Sequence, residues 1–149
     1  MSVQVHRYLH RVTYSECTVG DHVYYGRYLD VLEAARGDFF RALGLPFRAL
    51  QDQDRALPVI ECVLRFKSAA RYDDVLTVET WVAELGRVRL TFRHRILKAA
   101  GQLVLTATTA HACTDLAERP RRLPDDLRQR LVPFVQTGSD SAKVPCSPG

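Results

Sequence analysis

The chain has 149 residues, 46% of them hydrophobic and 26% charged, which is the size and composition of one globular domain. No apolar run approaches the ~18 residues that a membrane span needs, and no apolar segment follows the first basic residues, so we expect a cytoplasmic protein without a secretory signal. The net charge of +4 is spread along the chain and is compatible with nucleic acid or a phosphorylated cofactor arm, but it selects neither.

The N-terminal part of the chain is predicted to be a strand and a loop. Val3–Tyr14 places apolar residues among polar ones, as a strand does, and Ser15–Val23 reads as a loop with Gly20 and Asp21 as a turn signal. None of the four cysteines has the Cys-x-x-Cys spacing of zinc sites, so we expect no metal centre.

The segment Tyr24–Leu43 has the strongest helical period in the chain. Charged side chains fall on one side, and apolar ones fall on the side that a core-facing helix buries. The helix would be roughly 30 Å long and would end at Gly44, before Pro46. Glu33 and Arg36 interrupt the apolar side, where a charge is costly unless it is paired or used, and this marks a possible site. The expected apolar side consists of Tyr25, Tyr28, Leu29, Leu32, Ala35, Phe39, Phe40 and Leu43.

The rest of the chain is predicted to be mainly strands. Leu45–Leu57 is polar and irregular, so we expect a loop, and its length suits a lid or an oligomer contact. A short helix is expected from Leu123 to about Phe134, followed by a disordered tail over 136–149, which leaves one domain over 1–135. The four predicted strands are Val59–Lys67, Val75–Leu85, Val88–Lys98 and Gln102–Asp115.

This order of elements favours an α+β fold. An antiparallel sheet of about five strands, four of them in a meander, would curl around one long central helix. Alternation leaves apolar side chains such as Val104 or Leu105 on the face of the sheet that the helix does not cover. An uncovered apolar face argues for a dimer.

Three motifs in this order and spacing carry a family resemblance. They are Thr18–Tyr28 (TVGDHVYYGRY), Leu32–Arg36 (LEAAR) and Arg71–Thr80 (RYDDVLTVET). Over about Arg7 to Phe134, the chain resembles the hotdog-fold acyl-CoA thioesterases of the 4-hydroxybenzoyl-CoA thioesterase and YbgC type. The resemblance implies a hotdog fold and hydrolysis of acyl thioesters.

The catalytic loop departs from the family pattern at one position. In the family, a loop Asp acts on the thioester carbonyl as nucleophile or as base for water, but here Thr18 stands in its place, and Tyr25 stands where many members carry His. A Thr hydroxyl is no base near neutral pH, although it can hold water or substrate. The first amides of the helix, at Tyr24, Tyr25 and Gly26, are expected to keep their role, because free N–H groups bind developing negative charge.

Several groups near Thr18 are candidates to replace the missing carboxylate. Glu16 would point the same way as Thr18 in an extended loop, and Asp21 follows three residues later. His22, close to the positive end of the helix, would be neutral and able to act as a base. Each acid has the alternative interpretation of a solvated loop residue.

The charged residues within the helix offer a second possibility. Glu33 and Arg36 are spaced to pair, either as a structural or interface ion pair or, if they open onto the cleft, as a base of tunable pKa with its partner. A further comparison supports a site poor in carboxylates. Enediyne-type polyketide thioesterases rely on polar groups, water and a helix Arg, and Glu16–Tyr24 (ECTVGDHVY) is similar to their loop.

We therefore predict a homo-oligomer, dimer or tetramer, that hydrolyses thioesters of CoA or of an acyl carrier protein. Its cofactor requirement is none beyond the CoA of the substrate, and we expect no nucleic-acid or membrane partner. The alternatives are an inactive hotdog protein that binds acyl thioesters and, less favoured, an enoyl-thioester hydratase. The predicted catalytic residues are Thr18, Glu16, Glu33, Tyr24, Tyr25, Gly26 and Arg36. The predicted substrate-binding residues are Asp21, His22, Arg71, Arg87 and Arg121, the arginines being suited to phosphates.

Overall fold

A computed structural model describes residues 3–136. The predicted tail lies outside these residues except for Gln136. The helices and strands, in chain order, are β1 His6–Arg11, β2 Cys17–Thr18, β3 His22–Val23, α1 Arg27–Ala42, α2 Phe47–Asp52, β4 Val59–Phe66, β5 Val75–Leu85, β6 Arg89–Lys98, β7 Leu103–Ala112 and α3 Asp125–Leu131.

Five strands form one antiparallel sheet in the order β1-β5-β6-β7-β4, and β2 pairs with β3 in a separate hairpin. The predicted meander of four strands is therefore wrong, because only β5, β6 and β7 follow one another in space. β4 instead lies at an edge beside β7. The chain returns from β4 to β5 past the start of α1, where the Ala70 amide donates to the Tyr28 hydroxyl at 3.4 Å.

α1 crosses the inner face of the sheet and separates the core into two apolar clusters. Val31, Leu32 and Ala35 pack in the first cluster, with residues of β5, β6 and β7. Phe39 and Phe40 pack in the second cluster, with Phe92 and with leucines of α3, and the ring centroids of Phe39 and Phe92 are 6.1 Å apart. The aromatic pairs use the apolar side of the helix as predicted from its period.

The start of α1 differs from the prediction. The helix spans 16 residues from Arg27, and Tyr25 and Leu29, expected in the core, are 64% and 49% exposed. Val31 is buried in their place. This end of the helix lies towards the β4 edge, where the rings of Tyr25 and Phe66 are 6.5 Å apart, so little of the sheet lies beneath it.

The face of the sheet away from α1 is polar, which corrects the expectation for Val104 and Leu105. Both are fully buried in the core on the α1 side. Leu103 pairs with Leu97 while Leu105 pairs with Ile96, so Val104 is an extra residue in β7 and the alternation breaks there. The apolar outer face that argued for a dimer is therefore absent at these positions.

The polar outer face is built around a buried carboxylate. The Glu79 carboxylate on β5 accepts hydrogen bonds from Arg7 on β1 at 3.2 Å and from Arg95 on β6 at 2.8 Å. Both arginines are charged donors, and such pairs stabilise a buried carboxylate that would otherwise be costly. The arrangement ties the three neighbouring strands together.

Two of the remaining predictions concern the helices. Leu45–Leu57 is not only a loop, because α2 forms after Pro46, and six residues are too few to give a clear helical period. The last predicted helix is present as α3 followed by a turn of 3-10 helix over Val132–Phe134. Among residues 3–136, no helix is long and apolar enough to cross a membrane. The cytoplasmic location stays a prediction.

The two sides of α1 predict different responses to truncation. Phe39→Ala should lower the free energy of unfolding by about 4 kcal/mol, because a fully buried ring is replaced by a cavity. Leu29→Ala on the exposed side of the same helix should cost less than about 1 kcal/mol. Urea denaturation at one protein concentration measures both, and equal losses would contradict the assignment of the two sides.

Candidate active site

A cavity of about 550 Å³ lies beside α1. Its walls come from the second half of α1, from α2, from the segment that leads into β4, and from the chain at the end of β7. The apolar part includes Phe40, Phe47, Leu50 and Phe92, and the polar part includes Glu33, Arg36, Arg55, His111 and Asp115. An apolar pocket with a few polar groups is the usual form of a small-molecule site.

Arg36 brings a cation into this cavity. Burial lowers the pKa of Arg36 below its usual value, and nearby Glu33 partly offsets this. Within the described chain, neither an ion pair nor a hydrogen bond engages its guanidinium, so the predicted pair with Glu33 is not formed. Glu33 is exposed and lines the same cavity. Both groups are thus available to a ligand.

A chain of hydrogen bonds reaches the cavity from inside the sheet. The Thr80 hydroxyl is 3.0 Å from Nδ1 of His94, and Nε2 of His94 is 3.1 Å from the Thr109 hydroxyl. The same hydroxyl is 3.1 Å from Nε2 of His111, whose Nδ1 is 2.9 Å from the Leu57 carbonyl oxygen. We call these five residues the polar chain. It passes between the two apolar clusters of the core.

Both imidazoles of the polar chain are neutral at pH 7. Burial lowers the pKa of His111 to about 4, against a hydrogen bond to Leu57 that raises it, and Arg36 lowers it further. Burial also holds the pKa of His94 well below its usual value, and Arg36 and His111 act in the same direction. Neither ring is therefore a cation that competes with Arg36 for a ligand.

The N-terminus of α1 presents a second group of polar atoms. The Tyr24 amide donates to the Glu16 carbonyl oxygen at 2.9 Å. The prediction that this amide is free is therefore wrong. The amides of Tyr25 and Gly26 have no acceptor within residues 3–136. A side chain at Gly26 would meet the ring of Tyr24 at 3.0 Å, so glycine lets this ring lie over the turn.

Glu16 is already engaged in the loop before the hairpin. Its carboxylate accepts the Thr13 amide at 2.7 Å and the Thr13 hydroxyl at 2.9 Å, and it lies 2.9 Å from Nε2 of His10. Burial would raise the pKa of Glu16, but the bonds from Thr13 and His10 outweigh burial and lower it. A carboxylate with this many partners is a weak base and is already held in place.

The β2–β3 hairpin carries three of the predicted residues, and a fourth, Arg71, contacts it. Thr18 is exposed in β2, and Asp21 takes a left-handed backbone conformation at the turn, with φ 59°. His22 bridges to Arg71, whose guanidinium donates to the Gly20 carbonyl oxygen at 2.9 Å. Arg71 therefore holds the hairpin, and its predicted contact with a phosphate stays a prediction.

The structure divides the predicted residues between the start of α1 with its neighbouring hairpin and the cavity, and Arg87 lies apart from both. At ~1.5 Å of rise per residue, Glu33 and Arg36 lie about 10 and 15 Å along α1 from Gly26. Arg121 pairs with Asp115 at 3.0 Å near the cavity, and Arg87 lies beside α3, where its carbonyl oxygen accepts the Leu123 amide at 2.8 Å. No single surface of the described chain collects all of them.

Sequence reasoning did not identify the cavity or the polar chain. His94 and His111 lie in predicted strands, where the sequence favours a structural role for a histidine. Thr109 precedes His111 by two and so shares its face of β7, which is the one signal available in the sequence. The described residues contain no group of three or more His, Cys, Asp or Glu placed to hold a metal ion.

An antiparallel sheet around one helix, with free amides at the helix start and an apolar cavity along it, defines an α+β protein of the hotdog type. Residues 12–131 match the thioesterase-like superfamily. The chain belongs to this family, so the predicted fold and the predicted enzyme class, a thioesterase, are confirmed.

Individual relatives agree with this assignment. The chain is similar to the acyl-CoA thioesterase YbgC of Haemophilus influenzae, at 33% identity over 121 residues, which cover 79% of this chain and 88% of the relative. It is 31% identical to the 4-hydroxybenzoyl-CoA thioesterase of Pseudomonas sp. over 104 residues, which cover 65% of this chain and 74% of that relative. The crystal structure of the dynemicin thioesterase matches with a TM-score of 0.83 over 91% of this chain and all of that one, and at 20% identity this concerns the fold alone.

The low pKa of His111 predicts a loss of stability in acid. In the unfolded chain His111 binds a proton near pH 6.5, but in the native chain it does so only near pH 4. The free energy of unfolding is therefore highest above about pH 6.5 and decreases as the pH falls towards 4. A shift of this size corresponds to about 3 kcal/mol. His111→Gln should remove that part of the pH dependence in guanidinium denaturation, and parallel curves for the two proteins would contradict the prediction.

Proposed function

We propose that this protein hydrolyses acyl thioesters of CoA, by direct attack of water on the thioester carbonyl. The observation that carries the proposal is the pair of free amides at Tyr25 and Gly26, next to a Tyr24 amide that is already satisfied. Two N–H donors at a helix start suit the oxyanion that forms when a thioester is attacked. The hydroxyl of Thr18, in the neighbouring hairpin, orients the water or the carbonyl.

The base in this proposal is Glu33. Glu16, the other candidate, is engaged by Thr13 and His10, whereas Glu33 lies on the cavity without an ion pair. Arg36 neighbours it with free donors and stabilises charge that develops on the substrate. The separation of about 10 Å along the helix between Gly26 and Glu33 means that one subunit does not bring the base to its own amides.

A dimer formed through β4 resolves this separation. β4 has no partner strand at its outer edge in the described chain, and several of its apolar residues are exposed. We propose that the β4 strand of a second copy pairs with this edge and buries them. Those exposed residues are Val59, Ile60, Val63 and Phe66.

Antiparallel pairing of two β4 strands would place the Phe66 end of one beside the Val59 end of the other. Phe66 contacts Tyr25 and Tyr28 at the start of α1, and Val59 lines the cavity with Glu33 and Arg36. The free amides of one subunit then face the cavity of its partner. The acyl group enters that cavity between Phe40, Phe47 and Phe92, whose rings suit an apolar chain or ring.

The source of the thioester is the finer part of the proposal. CoA is favoured, because the relatives whose names give a substrate act on CoA thioesters. A thioester on an acyl carrier protein presents the same reacting atoms, and a comparison of both forms of one acyl group distinguishes them. No cofactor beyond the CoA of the substrate is invoked.

The first test removes one amide N–H and uses a second variant to account for the lost side chain. Tyr25 occupies the second position of the turn closed by the bond from the Arg27 amide to the Tyr24 carbonyl oxygen, where proline is favoured. Tyr25→Pro removes the N–H and should lower kcat about 100-fold, as loss of one oxyanion donor does. Tyr25→Ala keeps the N–H and is the matched control, for which we expect less than a ~10-fold loss.

The assay follows release of free thiol from a panel of acyl-CoAs and acyl-carrier thioesters. Equal losses in the two variants would exclude the amide from catalysis. Absence of turnover in the unaltered protein on every thioester, with CoA still bound, would instead support an acyl-thioester binding protein.

The second test asks whether a site is shared between subunits. Thr18→Val and Glu33→Gln should each lower activity more than ~10-fold, or about 1.4 kcal/mol of barrier. In a mixed dimer of the two variants, one shared site regains both native residues while the other loses both. Co-refolding the two variants should therefore restore activity, whereas a site contained in one subunit would stay defective in every combination.

A further inference from the structure

The polar chain is unusual because all four of its polar side chains are buried in the core. Thr80, His94, Thr109 and His111 are buried in the sheet beneath α1. Burying such groups costs free energy unless every donor and acceptor is paired, and apolar residues of similar shape would fill the same space. What the polar groups provide and apolar groups cannot is a set of directional bonds between defined atoms.

The direction of every bond follows from the last acceptor. A carbonyl oxygen can only accept, so Nδ1 of His111 carries the proton that is donated to Leu57. In a neutral ring, Nε2 then accepts, and the Thr109 hydroxyl donates to it. The Thr109 oxygen in turn accepts from Nε2 of His94, whose Nδ1 accepts from the Thr80 hydroxyl. No polar atom of the two rings is left without a partner.

The charges around the two rings favour this arrangement. Arg36 from α1 places a positive charge near both imidazoles, and His111 disfavours a second proton on His94. In a protonated His111, Nε2 would become a donor, so the Thr109 hydroxyl would have to accept from both rings and its own proton would lose the acceptor that it has now. The polar chain therefore has one pattern of protonation at neutral pH.

The end of the polar chain lies in the wall of the cavity. Leu57, Pro58 and Val59 line the cavity opposite α1, together with His111. The residues on either side of Leu57 are hydrogen-bonded to β7 and to the chain that follows it. The Ala56 amide donates to the Thr114 carbonyl oxygen at 2.9 Å, and the Ala112 amide donates to the Pro58 carbonyl oxygen at 3.2 Å. The Leu57 side chain packs against the second apolar cluster, and within residues 3–136 the bond from His111 is the hydrogen bond that ties this segment inward to the centre of the sheet.

We propose that His111 is a positioning residue that sets the shape of the acyl pocket by holding the Leu57 carbonyl through the polar chain. This rests on the proposed function, in which the cavity takes the acyl group. A wall fixed in this way limits the size of the acyl group, because the segment cannot move outward without breaking the bond. The reacting groups of the proposed function are the amides at the start of α1 and Glu33, and the polar chain includes none of them, so it affects the choice of substrate rather than the chemical step.

The decisive variant is Thr109→Val, which keeps the shape of the side chain and removes the hydroxyl between the two rings. We expect the preference in kcat/KM between short and long acyl-CoAs to shrink at least ~5-fold, through KM for the long substrates, while kcat for the best short substrate is maintained. Thr108→Val is the matched control and should keep the preference. Thr108 directly precedes Thr109 in β7, so its side chain points to the outer face.

The structural part of the proposal is tested without activity. In ¹⁵N NMR of the unaltered protein, His111 should carry its proton on Nδ1 and His94 on Nε2. A proton on Nε2 of His111 would overturn the proposal, as would an unchanged acyl preference in a folded Thr109→Val. If Thr109→Val does not fold, Thr80→Val, which cuts the far end of the polar chain, is measured in the same way and an unchanged preference again counts against it.

The NMR result separates this proposal from the proposed function. A protein with the expected tautomers and no thioesterase activity would contradict the function, and the preference would then be read from binding of the same acyl-CoAs. Loss of the preference in binding by Thr109→Val would support the positioning role, and retention would overturn it.

Discussion

One helix has to cover the inner face of five strands, and the rest of the structure follows from that constraint. Neighbouring strands are about 4.8 Å apart, so five strands extend over roughly 19 Å, whereas a helix with its side chains is about 10 Å wide. α1 covers the central strands with Leu32, Ala35, Phe39 and Phe40 and leaves β4 uncovered. The cavity occupies part of the space that remains between α1 and the β4 side of the sheet.

The same helix performs different physical tasks along its length. At its start, the backbone supplies donors that no residue of the described chain uses, so the side chains there are free to vary. Further along, Arg36 supplies a charge at the level where the two apolar clusters meet, above the neutral His94 and His111. A loop with Thr18 in place of a carboxylate is compatible with this division, because the proposed oxyanion site would be formed by the backbone, while side chains form the cavity.

The sequence was sufficient for the features that depend on local pattern. The period of α1 predicted Phe39 and Phe40 in the core, and the alternation in β5 and β6 predicted two strands with nearly correct ends. The errors at Val104 and at β4 have non-local causes, a bulge in β7 and a pairing between strands distant in the chain. The engagement of Glu16 depends on a turn of three residues. The polar chain joins β5, β6, β7 and Leu57, and no spacing in the sequence indicates such a set.

The polar chain has a consequence for how the strands find their alignment. A slip of β7 by two residues against β6 keeps every side chain on its own face, so the alternation of polar and apolar residues resists it only weakly. The slip would move the Thr109 hydroxyl about 7 Å along the strand, so Nε2 of His94 would lose the oxygen that it now reaches at 3.1 Å, at about 1–3 kcal/mol for the orphaned group. Buried hydrogen bonds thus distinguish one register from others that hydrophobic burial would treat as nearly equal.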